Sequence, residues 1–340
     1  MSPRSSIHEV ARRAGVSLGT VSNVLNRPEI VAEETRRRVQ LVIEEIGFVR
    51  NGSARQLRAG NSRYIGLVVL DVANPFFTEV ARGVEDAASK AGYVVVLCNA
   101  DDSLEKESHY LHTLEEQRAH GILITPVQSD ASYLQRFRQH GIVVVLLDRP
   151  SKIKDFCSVA VDDVRGGELA TAHLLEQGHE RIGFVHGPLS IRQCADRRRG
   201  MLRAVRAAGL DPEQVVVDIT TPALKTREGE ESVEKLLRAR IKPTAVFCAN
   251  DLLALGVMRG LTRQGISIPQ DVALVGYDDV EFASMLSTPL TSIRQPKYEL
   301  GRTAAELLLD ETSNPTSHQH KHIVYQPELI VRESSRSVSS

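Results

Sequence analysis

Apolar residues recur at helical spacing through the first fifty positions and in short runs after that. Ile7, Val10, Ala11 and Ala14 lie on one stripe, and Val21, Val24 and Leu25 on a second. Val39, Val42, Ile43 and Ile46 form a third. The pattern predicts three short helices. Ser6-Ile7-His8-Glu9 reads as a capping box, with the Ser6 hydroxyl accepting from the Glu9 amide and Glu9 reaching back to the Ser6 amide. Gly15 suits a left-handed helix end, and Ser17 can cap a second helix over about Leu18 to Leu25. Two short helices on a tight glycine-containing turn form a helix-turn-helix. The third runs from about Glu33 to Ile46 and stops at Gly47.

From Tyr64 the rhythm changes. Strand candidates are Ile65–Leu70, Tyr93–Cys98, Ile122–Thr125, Val143–Leu147, Val159–Val161, Ile182–Val185, Val215–Val217, Ala245–Cys248 and Val272–Val275. Helical stretches between them include Phe76–Lys90, Gly167–Glu176, Arg197–Ala208, Ser232–Arg240 and Leu252–Arg263. Alternation of this kind predicts an α/β body of parallel sheets covered on both faces. The stretch is too long for one such sheet, so two lobes dividing near Asp162-Asp163 are expected. A closed eight-fold barrel shares the rhythm and is the alternative.

Composition narrows the class. With 42% hydrophobic and 25% charged residues, the 340-residue chain is an ordinary globular one rather than a disordered one. The longest apolar run, Ile142 to Leu147, is far below the ~18 residues needed to span a bilayer. Met1-Ser2-Pro3-Arg4-Ser5-Ser6 has no apolar stretch behind its Arg, so no secretory signal is expected. Cys98, Cys157, Cys194 and Cys248 stand far apart without CxxC spacing, as reduced core thiols of a cytoplasmic protein would. The formal net charge of -1 conceals an asymmetry. Residues 1–60 hold ten Arg against six Glu, and the remainder is net acidic. A small basic segment on a larger acidic one suggests a nucleic-acid-binding head on a body with another task.

The run Val10-Ala11-Arg12-Arg13-Ala14-Gly15-Val16-Ser17-Leu18-Gly19-Thr20-Val21-Ser22-Asn23-Val24-Leu25-Asn26 is long and specific. With Ser6 to Glu9 before it, it closely resembles the headpiece of the lactose-repressor (LacI/GalR) family of bacterial transcription regulators. The resemblance implies that Leu18, Gly19 and Asn23 occupy the base-reading positions. Asn23 can bond adenine bidentately and Leu18 can pack on a thymine methyl. Gly19 offers no side chain to a base, a departure from relatives with a polar residue there. Ser6, Ser17, Thr20, Ser22 and Asn26 are the expected phosphate contacts. Ala32 stands where a Ser often caps the third helix. The resemblance continues through residues 51–60, implying a hinge helix that orders on operator DNA, with Ala54, Arg55, Leu57 and Arg58 at the minor groove. Leu57 would be its apolar wedge, and unstacking at the wedge yields a kinked duplex that touches more protein.

Polar clusters follow several strand candidates: Asp71 to Phe77, Asp148-Arg149, Asn250-Asp251 and Asp278-Asp279. Ligands in open parallel sheets bind beyond the carboxyl ends of the strands. A cleft lined by carboxylates, amides, an Arg and aromatic rings suits a polyhydroxylated ligand. The body also resembles the two-lobed periplasmic-binding-protein fold with three crossovers between lobes. The matching segments are Asn74-Pro75-Phe76-Phe77, Gly178-His179, Arg181-Ile182, Arg197 with Gly200, Asn250-Asp251, Gly276 to Asp279, and Thr288 to Pro296, the last returning the chain to the first lobe. The effector contacts it implies are Asn74, Phe76, Phe77, Asp148, Arg149, Arg197, Asn250 and Asp278. The chain has no Trp, so a Trp stacking platform is absent.

His8-Glu9 opens no HExxH, and neither a Walker sequence nor GxGxxG occurs, so neither a zinc-protease site nor nucleotide binding is supported. His318, His320 and His322 alternate as on one strand face, which reads as a solvated edge rather than a metal site. Arg197-Arg198-Arg199 reads as a solvated helix face with one inward Arg. The expected organisation is a headpiece (1–50), a hinge (51–61), a two-lobed effector and dimerisation body (62–333) and a disordered tail (334–340). The expected protein is a homodimeric repressor, not an enzyme, with no cofactor and no membrane partner. It would bind a pseudo-palindromic double-stranded operator under control of a monosaccharide-like effector. A purine or nucleoside effector is the same-class alternative. A transporter's solute-binding protein and an α/β enzyme of the cleft are the rivals from other classes.

Overall fold

The computed structural model describes residues 6–48, 62–128, 130–151 and 155–336. They form two units, Met1–Asn61 and Ser62–Ser340. The hinge positions Ala54, Arg55, Leu57 and Arg58 lie outside the described residues.

Among its described residues the first unit has three α-helices, α1 (Ile7–Ala14), α2 (Leu18–Asn26) and α3 (Glu33–Glu45). Val10, Ala14, Val21, Val24, Val39 and Val42 form its buried core, as the three stripes require. Ser6 accepts from the Glu9 amide at 3.3 Å. The capping box is only half made, because the Glu9 carboxylate turns to Arg12 and Arg13 at 2.6 and 2.8 Å. Those guanidiniums hold its carboxyl down at about 2. Gly15 ends α1 in the left-handed region at φ 64, and Ser17 caps α2 by accepting from the Thr20 amide at 3.1 Å. Ala32 gives α3 no side-chain cap.

The second unit contains two open six-stranded sheets, so the barrel alternative is excluded. The first lobe carries β1 (Tyr64–Val69), α4 (Pro75–Lys90), β2 (Val94–Asn99), α5 (Leu104–Glu116), β3 (Gly121–Ile124), α6 (Gln135–Gln139), β4 (Val143–Leu147) and β5 (Cys157–Val161). The second carries α7 (Asp163–Glu176), β6 (Ile182–His186), α8 (Arg192–Ala207), α9 (Pro212–Val215), β7 (Val216–Thr220), α10 (Thr226–Arg238), β8 (Ala245–Cys248), α11 (Asp251–Arg263), β9 (Ala273–Asp278) and β10 (Thr291–Arg294). The chain then returns through α12 (Lys297–Ser313) and β11 (His322–Tyr325) to the first sheet, and ends in the second with β12 (Glu328–Ile330). The orders are β11-β5-β4-β3-β1-β2 and β12-β10-β9-β8-β6-β7. Every pairing is parallel except β12 with β10. The break at Asp162-Asp163 and three crossovers agree with expectation.

In the first sheet, Ile65, Leu67, Leu123, Val145 and Leu147 face α4 and α12. Val68, Ile122, Ile124, Val144 and Leu146 face α5 and α6 on the other side. Burial on both faces explains why these strands read as continuous apolar runs. In the second lobe α7 and α8 pack with almost no side chain between them. A Cβ on Gly167 would lie 2.1 Å from the Arg197 carbonyl oxygen, and one on Gly200 1.9 Å from that of Val164. Only glycine permits that approach, and it sets the place of the second and third turns of α8 against α7.

Two expectations need correction. The tail does not begin at Ser334, since Ser334 and Ser335 are fully buried. Ser334 Oγ accepts from the Thr291 amide (2.8 Å) and donates to the Leu274 carbonyl (2.6 Å), closing the edge of β10. His318 and His320 do not form a solvated edge. The His318 side chain is 2% exposed, because the segment folds back over Cys157 at the start of β5.

Candidate functional site

On α2, Val21 and Val24 turn into the headpiece core, leaving Leu18, Gly19 and Asn23 exposed on the opposite face. Ser22 and Asn26 share that face, and Asn26 Nδ2 donates to the Ser22 carbonyl at 2.8 Å. Ser6 and Ser17 carry out their capping roles at the amino ends of α1 and α2, where a helix presents amides and a positive dipole end to an anion. Thr20 Oγ1 lies 2.9 Å from Ser17 Oγ.

In the body, the carboxyl ends of both sheets meet around a shared cavity. Asn74 caps α4 and presents Phe76 and Phe77, whose rings pack edge-on at 5.0 Å and 82°. Asp148 ends β4, Asn250 caps α11, Asp278 ends β9, and Arg197 comes from the second turn of α8. These seven expected residues all line the cavity. Arg149 does not: its guanidinium donates to the Gln128 carbonyl on the far side of the strand end.

The lobes touch across this space. Asn74 Nδ2 donates to Asp278 Oδ2 at 3.2 Å. Gln193 Nε2 donates to both the carbonyl and Oδ2 of Asp148, each at 2.9 Å. At the rim Lys225 pairs with Asp101 at 3.1 Å. Behind the wall, Arg197 Nε donates to Asp163 Oδ1 (2.8 Å), Nη1 donates to the Ala249 carbonyl (2.5 Å), and its guanidinium lies 3.6 Å over the Tyr277 ring. Gln295 and Lys297 anchor Asp278 through its Oδ1 and its carbonyl.

Burial is the dominant electrostatic fact. It pushes the carboxyls of Asp148, Asp163 and Asp278 up, Asp148 to about 8 with help from Asp163, while Arg197 pulls all three back. Asp102, also on the cavity wall, is raised to about 6 by burial and by Asp71. Among the described residues, five of the six non-glycine residues with positive φ are Asp101, Asp102, Asp148, Asp278 and Asp279. Three of these line the cavity. Such conformations cost about 1–3 kcal/mol each and concentrate at ligand clamps.

The sequence reading missed Gln193, Asp102 and the positioning pair Asp163 and Tyr277. Gln193 and Asp163 sit in polar first turns that carry no apolar stripe. The Asp101-Asp102 pair after β2 was the one available signal.

A helix-turn-helix unit joined to a two-lobed body with a polar and aromatic interlobe cavity defines a ligand-responsive DNA-binding regulator. The family model "Bacterial regulatory proteins, lacI family" matches residues 6–51, and the model "Periplasmic binding protein-like domain" matches 171–335. The HTH-type transcriptional repressor PurR of Aliivibrio salmonicida (strain LFI1238) is 35% identical over 333 residues, 97% of this chain and 98% of that one. The chain belongs to the LacI family of bacterial transcriptional regulators, whose members are DNA-binding repressors and not enzymes. A LacI family regulator of Enterococcus faecium, solved with bound ribose, is 32% identical with a TM-score of 0.74, over 81% of this chain and all of that one. The lac repressor dimer bound to operator and the anti-inducer ONPF is 26% identical with a TM-score of 0.83, over 98% of this chain and all of that one. No described helix is long and apolar enough to cross a membrane.

Proposed function

We propose that this chain is a cytoplasmic homodimeric repressor whose operator affinity is set by a neutral monosaccharide held between the lobes. The observation that carries the effector is the cavity's acceptor-rich wall. Asp102, Asp148 and Asp278 face a space into which Arg197 is the cation presented. Carboxylates accept from hydroxyl groups, and the apolar edges of Phe76 and Phe77 can pack on a sugar's C–H face. An anionic ligand would meet more carboxyls than guanidiniums. The ribose-bound relative supports this reading. The purine repressor relative supports a second, in which a purine base occupies the same cavity.

The bonds from Asn74 to Asp278 and from Gln193 to Asp148 close the cleft by themselves. An effector that takes over these partners shifts closure only by its differential affinity for the open and closed lobes. For the dimer, the exposed edge strand β2 offers Val94, Val96 and Leu97, with Val94 66% exposed. In the proposed organisation residues 1–50 form the headpiece, 51–61 the hinge, and the body runs from 62 through at least Ser335. Leu57 then enters the minor groove, flanked by Ala54, Arg55 and Arg58. Leu18, Gly19 and Asn23 face base edges, and Ser6, Ser17, Thr20, Ser22 and Asn26 face phosphates.

Two measurements test this. Genomic fragments selected by the purified chain, at stated salt, should enrich a pseudo-palindrome whose retention changes with one member of a monosaccharide and purine panel. Retention changed by a purine alone selects the second reading, and no enrichment under any condition overturns both. Asn23→Ala should relax base preference at one symmetric half-site position by about 1–3 kcal/mol. An unchanged preference in a competition binding assay removes Asn23 from the reading set.

A further inference from the structure

Four potential metal ligands converge in the first lobe, none of them on the cavity wall. Cys157 opens β5, Glu311 lies in the last turn of α12, and His318 and His320 lie on the segment leading to β11. Their ligand atoms all lie within 4.8 Å of one another. Cys157 Sγ is 3.1 Å from His318 Nε2 and 3.8 Å from His320 Nδ1. Glu311 Oε2 is 3.7 and 3.6 Å from the same two nitrogens. A tetrahedral zinc with bonds of about 2.0–2.3 Å separates its ligands by roughly 3.3–3.7 Å. Four of the six separations, 3.1 to 3.8 Å, thus lie within a few tenths of an ångström of what such an ion needs, and all six lie within 4.8 Å.

The surroundings are those of a ligand set. His318 Nδ1 bonds Asp310 Oδ2 at 2.7 Å, which fixes the tautomer that leaves Nε2 free for a metal. The Lys321 amide donates to Cys157 Sγ at 3.3 Å, a bond that a metal-bound thiolate would keep. Glu311 Oε2 is buried without a hydrogen-bond partner, an arrangement that costs stability unless something occupies the centre. Arg138 Nη1 lies 2.9 Å from His320 Nε2, which must carry its proton once Nδ1 binds a metal. That half-exposed guanidinium also donates to the Asp155 carbonyl and lies 3.9 Å from Glu311 Oε1, so it keeps partners when it withdraws.

We propose that Cys157, Glu311, His318 and His320 form a tetrahedral binding site for a divalent transition ion of zinc's type, which clamps the end of α12 and the edge strand β11 to β5. One sulfur, two imidazoles and one carboxylate suit zinc in charge, softness and geometry. The site is closed by four protein ligands, so its role is structural, and the ion would add its binding free energy to the folded first lobe.

The full chain, stripped with a chelator and dialysed against zinc, should retain one ion per chain by elemental analysis and unfold at a higher temperature than the stripped form. Cobalt in its place should give tetrahedral visible bands and a thiolate charge-transfer band in the near ultraviolet. His320→Ala, at the most exposed ligand, should remove stoichiometric retention, and Asp310→Asn should weaken zinc about 10–100-fold in a chelator competition. The charge-transfer band should vanish in Cys157→Ser and persist in Cys98→Ser. The wild-type spectrum decides the matter even if Cys157→Ser fails to fold. A wild-type chain that retains no zinc, or binds cobalt without a thiolate band, overturns the site.

Discussion

Replacing Arg197 with alanine should cost the body about 3–5 kcal/mol and abolish its response to effector, the range seen when one partner of a buried ion pair is removed. The guanidinium bonds Asp163 and the Ala249 carbonyl, covers Tyr277, and attracts Asp148 and Asp278 electrostatically. Without it, three buried carboxyls lose that attraction and rise further above their ordinary range. A carboxyl with a raised folded pKa favours the folded state at low pH and loses that contribution as pH rises through the folded value. The variant should therefore be closest to wild type near ~pH 5 and fall further behind toward pH 8 and above. Denaturant titrations across that range check the trend, and an equal deficit at both ends would show that Arg197 is not the counter-ion. Operator binding should persist where the variant remains folded, since the reading helix lies in the other unit. Arg197→Lys keeps the charge without the planar fork and should recover part of the stability.

Asp148→Asn should have the opposite sign on stability. The carboxyl is buried, its Oδ1 has no partner, and its backbone is held at φ 52. Its pKa of about 8 lies above the ordinary carboxylate value, so wild-type stability falls as pH climbs from about 4 toward 8 through this group. The amide retains an oxygen for Gln193 Nε2 and carries no charge. The variant should gain about 1–3 kcal/mol in the ligand-free protein above that pH, and little near ~pH 4. Above about pH 8, where the wild-type carboxyl is ionised, it should bind effector more weakly by roughly 1.5–3 kcal/mol, the value of a hydrogen bond to a charged group. Stability gained together with affinity lost is the signature of a side chain kept for its ligand. A variant less stable than wild type at high pH would contradict this account.

What could be read from the chain follows from what each segment buries. Strands such as Ile65–Leu70 and Ala245–Cys248 are covered on both faces, so their apolar runs announced them. Thr291–Arg294 was not recognised, because two of its three buried positions are polar: Ser292 bonds Asp251, and Thr291 bonds Ser334 and Arg332, which leaves Ile293 as its one apolar residue. The expected start of α8 fell at Arg197 because Arg192 to Asp196 turn polar side chains toward the cleft or solvent. That missing turn contained Gln193. Arg149 was placed in the cleft by its neighbour Asp148, whereas successive residues at a strand end point opposite ways. The alternating histidines were visible as a set, but Cys157 lies more than 150 positions earlier and its proximity is a product of the β11–β5 pairing.

The return of α12 and β11 to the first sheet has a consequence for synthesis. Residues 62–161 leave the ribosome with five of the six strands of their sheet, but the helix that covers Leu123, Val145 and Leu147 is made only after the whole second lobe. Until then α4 alone covers that face of the nascent sheet and the part that α12 will cover stays open, a condition that invites aggregation or chaperone capture. The reading head emerges complete well before any effector-sensing body exists. A transcript cut short between the lobes would thus yield a fragment with a reading head that no ligand could instruct.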